Sequence, residues 1–168
     1  MNYQVAEISA FLGSALTTID PKGRMAIPAI FRNPIIANSK GESSVVFSYN
    51  AQAQCLQGHG TERLVALLAQ MRRREELANE SGEEFRTEIV GGPRFNSTAT
   101  ISFDGSGRLI LPKMLVAMAK IEKHVFFSGN GTDFSVWGVE HLLTLDDPRL
   151  ASQQFNARFY MDELEGKR

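Results

Sequence analysis

Two arginines of this chain sit in nearly the same phrase, DPKGRMAIP at Asp20–Pro28 and DGSGRLILP at Asp104–Pro112. Asp, Gly, Arg and Pro recur at the same places, each matched pair 84 residues apart. An arginine carried on a turn is a planar fork of donors that grips phosphate or meets the O6 and N7 acceptors of guanine in the major groove. Glycine supplies the backbone freedom of such a turn, and the aspartate side chain bonds amides just downstream or pairs with the arginine. Arg24 and Arg108 are therefore candidate anion-binding residues, with Lys22, Arg32 and Lys113 as neighbouring cations. Asp20, Gly23, Asp104 and Gly107 are the candidate turn-shaping residues. In sequence, Lys22, Arg24 and Arg32 gather about the first turn, and Arg108 and Lys113 about the second.

Other chemistry finds little support. His59, His124 and His141 lie in unrelated segments without the spacing of a metal site. DGSGR and the NGTD of Asn130–Asp133 are glycine-bearing loops, but neither ends in the lysine and hydroxyl residue of a P-loop. No nucleophile, base and acid stand together, so no catalytic residue, metal or cofactor is assigned. The single cysteine, Cys55, excludes an internal disulfide and reads as a small apolar strand residue in a reducing compartment. A formal net charge of −1 with 22% charged residues rules out a generally basic, nucleic-acid-coating chain, so anion binding must come from local clustering. The first residues lack the basic start and apolar run of a signal peptide, and no stretch nears the roughly 18 apolar residues of a membrane span. The expectation is a cytoplasmic protein with no membrane partner.

The elements that must position the arginines follow from the pattern. SALTTI and STATISF precede the aspartates and read as half-buried strands, with Ala99, Ile101 and Phe103 on one face. MAI and LIL continue as second strands, which Pro28 and Pro112 end while opening helices. Pro34 predicts a short first helix, and KMLVAMAKI a longer second one. SVVFSYN at Ser44–Asn50 and HVFFSGN at His124–Asn130 then correspond at an offset of 80, and CLQG at Cys55–Gly58 matches SVWG at Ser135–Gly138 at that same offset. Thr61–Glu80 reads as a helix capped by Thr61, with Leu64, Leu67, Leu68 and Met71 at helical spacing and the arginines of MRRRE on its wet face. VEHLLTL is its briefer counterpart, and Gly91–Pro93 marks a break before the second copy. Trp137, Phe126 and Phe127 are core candidates. The segment from Asp146 reads either as a docked terminal helix or as a partly disordered tail. The chain divides into an extension (1–10), a first repeat (11–58), a helix and linker (59–94), a second repeat (95–145) and a C-terminal extension (146–168).

Strand, D-x-x-G-R turn, strand and proline-started helix resembles the AbrB-like swapped-hairpin barrel of bacterial transcription factors and antitoxins. The tandem arrangement is similar to the MraZ family of transcriptional regulators. The residues that carry the likeness are Asp20, Lys22, Gly23, Arg24, Pro28, Phe31 and Arg32 in the first copy. In the second they are Asp104, Gly107, Arg108, Pro112, Leu115, Val125–Gly129 and Trp137; the FLG of Phe11–Gly13 sits where the family begins. The second turn departs from the pattern in having no lysine between Asp104 and Arg108. The resemblance implies an α+β, mainly β fold: a pseudo-twofold tandem AbrB-like barrel with short helices, assembling into a ring, an octamer or dodecamer. It implies sequence-specific binding of double-stranded DNA at promoter direct repeats upstream of the division and cell-wall gene cluster that includes its own gene, with nucleoid association. The resemblance makes Arg24, Arg108, Lys22, Arg32 and Lys113 the expected DNA contacts, with the Arg24 and Arg108 turns entering adjacent major grooves. The other reading the resemblance offers is an AbrB-like antitoxin or interaction module acting through the C-terminal tail, against which stand the two repeats per chain.

Overall fold

The computed structural model describes residues 9–166, so residues 1–8 of the expected N-terminal extension lie outside the described residues. The first copy comprises β1 (Ser14–Thr18), β2 (Arg24–Ala26), α1 (Ala29–Ala37), β3 (Ser44–Asn50) and β4 (Cys55–His59). A connecting segment carries α2 (Thr61–Ser81), α3 (Thr87–Val90) and α4 (Gly92–Phe95). The second copy repeats the order with β5 (Thr98–Ser102), β6 (Arg108–Ile110), α5 (Lys113–Met118), β7 (His124–Gly129) and β8 (Phe134–Gly138). After α6 (Val139–Leu142) and a 3-10 turn at Pro148–Leu150, α7 (Ala151–Gly166) ends the described chain. The fold is α+β, with a large antiparallel sheet and mostly short helices.

The two copies trade strands. β1 pairs with β7 and β5 pairs with β3, giving a six-stranded sheet in the order β1-β7-β8-β4-β3-β5. β2 pairs with β6 in a separate two-stranded ribbon. The registers obey one pseudo-dyad: Ser14 faces Ser128 while Thr98 faces Ser48, the pairing expected when first strands are 84 apart and third strands 80 apart. Neither copy completes its sheet from its own residues, so the hydrogen-bonding edge that one leaves open is filled by the other.

Three local expectations are corrected. The hairpin of the first copy pairs Tyr49 with Leu56, and that of the second pairs Gly129 with Phe134. The second loop is thus two residues tighter, and past it the copies match at 78, so that Gly60 and Gly138 both precede helices. CLQG is not the counterpart of SVWG. Secondly, α1 runs through Pro34 for nine residues while α5 stops after six. Each helix needs only to bury one i, i+4 pair, Phe31 with Ile35 or Leu115 with Ala119, before the chain turns at left-handed Lys40 or Lys120 and re-enters the sheet. That return, and not proline content, sets their length. Thirdly, Thr61 does not cap α2: Gly60 holds the cap position, and Ser39 Oγ accepts the Thr61 amide at 3.0 Å from across the fold. A side chain at residue 60 would collide with the backbone of Asn38, which is why the cap must be borrowed. Along α2, Leu68 is exposed and only Ala78 is fully buried.

The core lies inside the closed surface of sheet and ribbon and draws on both copies. Phe134 is its hub, with ring centroids 5.1 Å from Phe11, 5.3 Å from Phe31, 5.8 Å from Phe127 and 6.0 Å from Phe47. Gly58 is forced by this ring, since a Cβ there would overlap it. Alternation along β7 sends Val125 and Phe127 into this core and Phe126 to the opposite face. There Phe126, Trp137, Cys55 and Leu142 form a second cluster covered by α7 through Ala157, Tyr160 and Met161. The Tyr160 hydroxyl donates to the Ser14 carbonyl at 3.0 Å, so the C-terminal segment is a docked helix.

Candidate nucleic-acid interface

Each repeated phrase builds the same turn. The amide of Gly23 donates to the Asp20 carbonyl at 2.9 Å and that of Gly107 to the Asp104 carbonyl at 2.8 Å. Gly23 (φ 85°) and Gly107 (φ 78°) occupy the left-handed region, where a Cβ would be strained. It would also strike the Leu111 carbonyl oxygen at Gly23, and Arg32 and the Ile27 carbonyl at Gly107. Asp20 Oδ1 accepts the amides of Lys22 and Arg24, both at 2.9 Å, and Asp104 Oδ1 those of Ser106 and Arg108 at 3.0 and 2.9 Å. The second carboxylate oxygen in each turn takes Nε of the arginine, at 2.5 Å for Arg24 and 2.8 Å for Arg108. These bonds, the Arg24 or Arg108 amide first and then the guanidinium, hold both carboxyls below their ordinary value, so both stay ionised at neutral pH.

The aspartates thus anchor their own turns, and what they anchor faces outward. The Arg24 and Arg108 side chains are 62% and 75% exposed, with Nε spent on the aspartate and the terminal nitrogens left for an acceptor beyond the surface. On the ribbon, Arg24 pairs with Ile110, Met25 with Leu109 and Ala26 with Arg108. Met25 and Leu109 point into the core, which leaves Arg24, Ala26, Arg108 and Ile110 on the outer face, lining one shallow groove. The arginines are diagonal neighbours, a relation that sets Cα atoms roughly 7–8 Å apart. Successive major-groove faces lie about 34 Å apart along a duplex, so the expectation of adjacent grooves is corrected: both arginines belong to one ribbon and can meet only one groove.

The other cations are redistributed by the antiparallel ribbon. Because the end of each strand lies beside the start of its partner, residues that follow one arginine in sequence land near the opposite turn. Arg32 donates Nε to the Ile27 carbonyl at 2.8 Å and packs against Gly107, supporting the second turn. Lys113, exposed at the start of α5, follows Leu111, whose amide bonds the Gly23 carbonyl of the first turn. The sequence grouping of these two residues is therefore reversed. Lys22 is exposed at the first turn as expected. Sequence reasoning missed Lys123, which lines a cleft with Asp20, Pro21, Arg24 and Glu122, and missed Ile110, 62% exposed between the arginines. Only the β1–β7 pairing, which bonds the Ile19 amide to the Lys123 carbonyl, brings Lys123 there.

The remaining candidates for chemistry serve the fold. His59 is buried with Nδ1 2.8 Å from the Gly60 carbonyl, His124 lies 2.7 Å from Glu140, and His141 lies 3.2 Å from Gln54. Asp133 of the NGTD loop accepts from Asn130 and Gln57. Burial raises the Cys55 thiol to about 12. Among the described residues no group of three or more His, Cys, Asp or Glu could hold a metal ion, and no described helix is long and apolar enough to cross a membrane.

Comparison with known proteins places this arrangement. No family model matches the chain. The chain is 31% identical over 119 residues to the transcriptional regulator MraZ of Rickettsia bellii, covering 71% of this chain and 74% of that protein. It is 29% identical over 131 residues to MraZ of Gluconacetobacter diazotrophicus, covering 77% and 79%, and 28% identical over 130 residues to MraZ of Rickettsia akari, covering 77% and 82%. With its doubled turns and an alignment spanning most of both proteins, the chain belongs to the MraZ family of transcriptional regulators.

Proposed function

We propose that this protein is a sequence-specific DNA-binding transcriptional regulator whose reading surface is the β2–β6 ribbon. One observation carries the reading: Arg24 and Arg108 stand on the same exposed face, each oriented by its own aspartate. A two-stranded ribbon fits the major groove, and an arginine whose terminal nitrogens are free suits the paired acceptors of guanine. Lys22 and Lys113 serve as phosphate contacts that set position without reading sequence. Arg32 acts through the second turn. The repeats at 11–58 and 95–145 are AbrB-like units, and the chains assemble into a ring, an octamer or dodecamer, that lays many weak ribbons along promoter direct repeats. The promoter is that of the division and cell-wall gene cluster including the protein's own gene, and the protein acts in the cytoplasm at the nucleoid.

The test is a fluorescence-anisotropy titration against DNA from upstream of the gene and against a scrambled duplex, with Arg24→Ala and Arg108→Ala in parallel. Each substitution should lose about 1–3 kcal/mol on the operator alone. Indifference of the native protein to the two duplexes would sink the reading.

A second reading, an interaction module working through the C-terminal segment, has one observation in its favour. α7 docks by Ala157 and Tyr160 but turns Phe155 and Phe159 outward, 70% and 53% exposed. Removing α7 while keeping DNA binding and losing a co-purifying protein would favour it; losing the ring instead would assign these aromatics to subunit contact.

A further inference from the structure

One side chain on the outer face of the ribbon is needed by neither the turns nor the core. Ile110 stands directly across from Arg24 and two residues beyond Arg108, and is 62% exposed. Its Cγ2 packs over the first turn, 3.6 Å from the point where a Cβ on Gly23 would lie. A β-branched side chain has few rotamers, so this contact and the strand together fix the position of its methyl groups. The pseudo-dyad exchanges Ile110 with Ala26, which stands across from Arg108. At the second turn the place over Gly107 is taken by Arg32 instead. The two halves of the ribbon therefore share their arginines and differ in what stands beside them: a branched apolar group next to Arg24, a single methyl next to Arg108.

An apolar side chain gains nothing from a phosphate, and a protein partner that covered Ile110 would have to take the two neighbouring guanidinium groups out of water. A base-pair edge suits all three groups at once. In the major groove it offers acceptors to the arginines and one apolar group, the 5-methyl of thymine. We infer that Ile110 is a specificity-determining residue that packs on the 5-methyl of a thymine beside the guanine met by Arg24. This rests on the DNA-reading role proposed above and deepens it by adding an apolar contact to the charged ones. Directly opposed residues of a ribbon set their Cβ atoms about 4.5–5.5 Å apart, and bases stack about 3.4 Å apart, so the thymine lies within about two base pairs of that guanine. The bond from Arg24 Nε to Asp20, 2.5 Å long, holds the guanidinium back over its own turn, which lets the shorter isoleucine share the same groove floor. Ala26 is half-buried and ends at its Cβ, so the Arg108 half makes no equivalent contact.

The test uses the duplex that the native chain enriches from a random-sequence pool, with each thymine in turn replaced by deoxyuridine, which lacks only the 5-methyl. Anisotropy titrations give the ratio of thymine to deoxyuridine affinity at every position for the native chain and for Ile110→Ala. Each ratio is taken within one protein, so a general loss of affinity or stability in the variant cancels. The guanine met by Arg24 is located by 7-deazaguanine substitution, as the one whose N7 the Arg24→Ala protein no longer senses. Within about two base pairs of it, the inference expects one thymine whose methyl is worth about fourfold to the native chain, the value of one buried methyl, and close to onefold to Ile110→Ala. A ratio of one at every thymine in reach, or a fourfold ratio that Ile110→Ala leaves unchanged, overturns the contact while leaving the arginines as readers. Failure to enrich any element overturns the DNA reading and the contact together.

Discussion

Replacing Asp20 by asparagine keeps the shape of the first turn and removes what steadies its arginine. The amides of Lys22 and Arg24, each 2.9 Å from Asp20 Oδ1, keep an acceptor in the asparagine carbonyl oxygen. The other oxygen, which takes Arg24 Nε, becomes an NH2 group, so two donors face each other and the guanidinium loses its anchor. On an operator, Arg24 must then be ordered during binding, which lowers affinity about two- to tenfold. On random DNA the loss of a carboxylate beside phosphate acts the other way, raising affinity about two- to threefold, most at low salt. The operator shares that electrostatic gain, which cancels in the ratio, so the ratio of specific to non-specific affinity should fall by about two- to tenfold while thermal stability holds. Anisotropy titrations on operator and scrambled duplexes at two salt concentrations, beside a melting curve, read all three quantities. Equal loss on both duplexes with a lower melting temperature would refute the reasoning, because the carboxylate would then matter only for holding the turn.

Further outcomes follow from other parts of the fold. Phe134→Ala empties the centre of an aromatic cluster drawn from both copies and should cost about 3–5 kcal/mol in denaturant unfolding. Gly107→Ala, at φ 78° against the Ile27 carbonyl, should lose more than the roughly 1–2 kcal/mol of a left-handed alanine, while Gly105→Ala at the open apex should melt like the native protein. Burial holds His59 below its ordinary value of 6.5, so it stays neutral in the fold where the unfolded chain has taken a proton. The unfolded state thus binds more protons just below that value, and stability rises with pH across the interval. Melting temperature should fall as pH drops from about 7.5 to 5.5, and His59→Gln should flatten the slope without abolishing it, since burial depresses His141 too.

Much of this was legible because it is local. The D-x-x-G-R turn states its own hydrogen bonds, and alternation in STATISF correctly assigns Ala99, Ile101 and Phe103 to one core. What remained hidden is pairing between segments far apart in sequence. Nothing in the residues around Lys113 or Arg32 says that β2 will lie antiparallel to β6, yet that pairing alone carries each to the opposite turn. Lys123 was invisible as a neighbour of Arg24 for the same reason. The misplaced match of CLQG to SVWG had a different cause: glycines recur in both hairpins, and a loop shortened by two residues shifts the true partner of Gly138 to Gly60. The cap of α2 was misread because Ser39, its acceptor, is 22 residues away.

The central claim is that Arg24 and Arg108 touch bases, and the most direct measurement replaces one operator guanine at a time with 7-deazaguanine, which lacks only the N7 acceptor. The account predicts a guanine whose substitution costs the native protein about 0.5–1.5 kcal/mol but costs Arg24→Ala nothing further, and another that behaves so with Arg108→Ala. Losses that are the same in native and variant proteins at every guanine would contradict it.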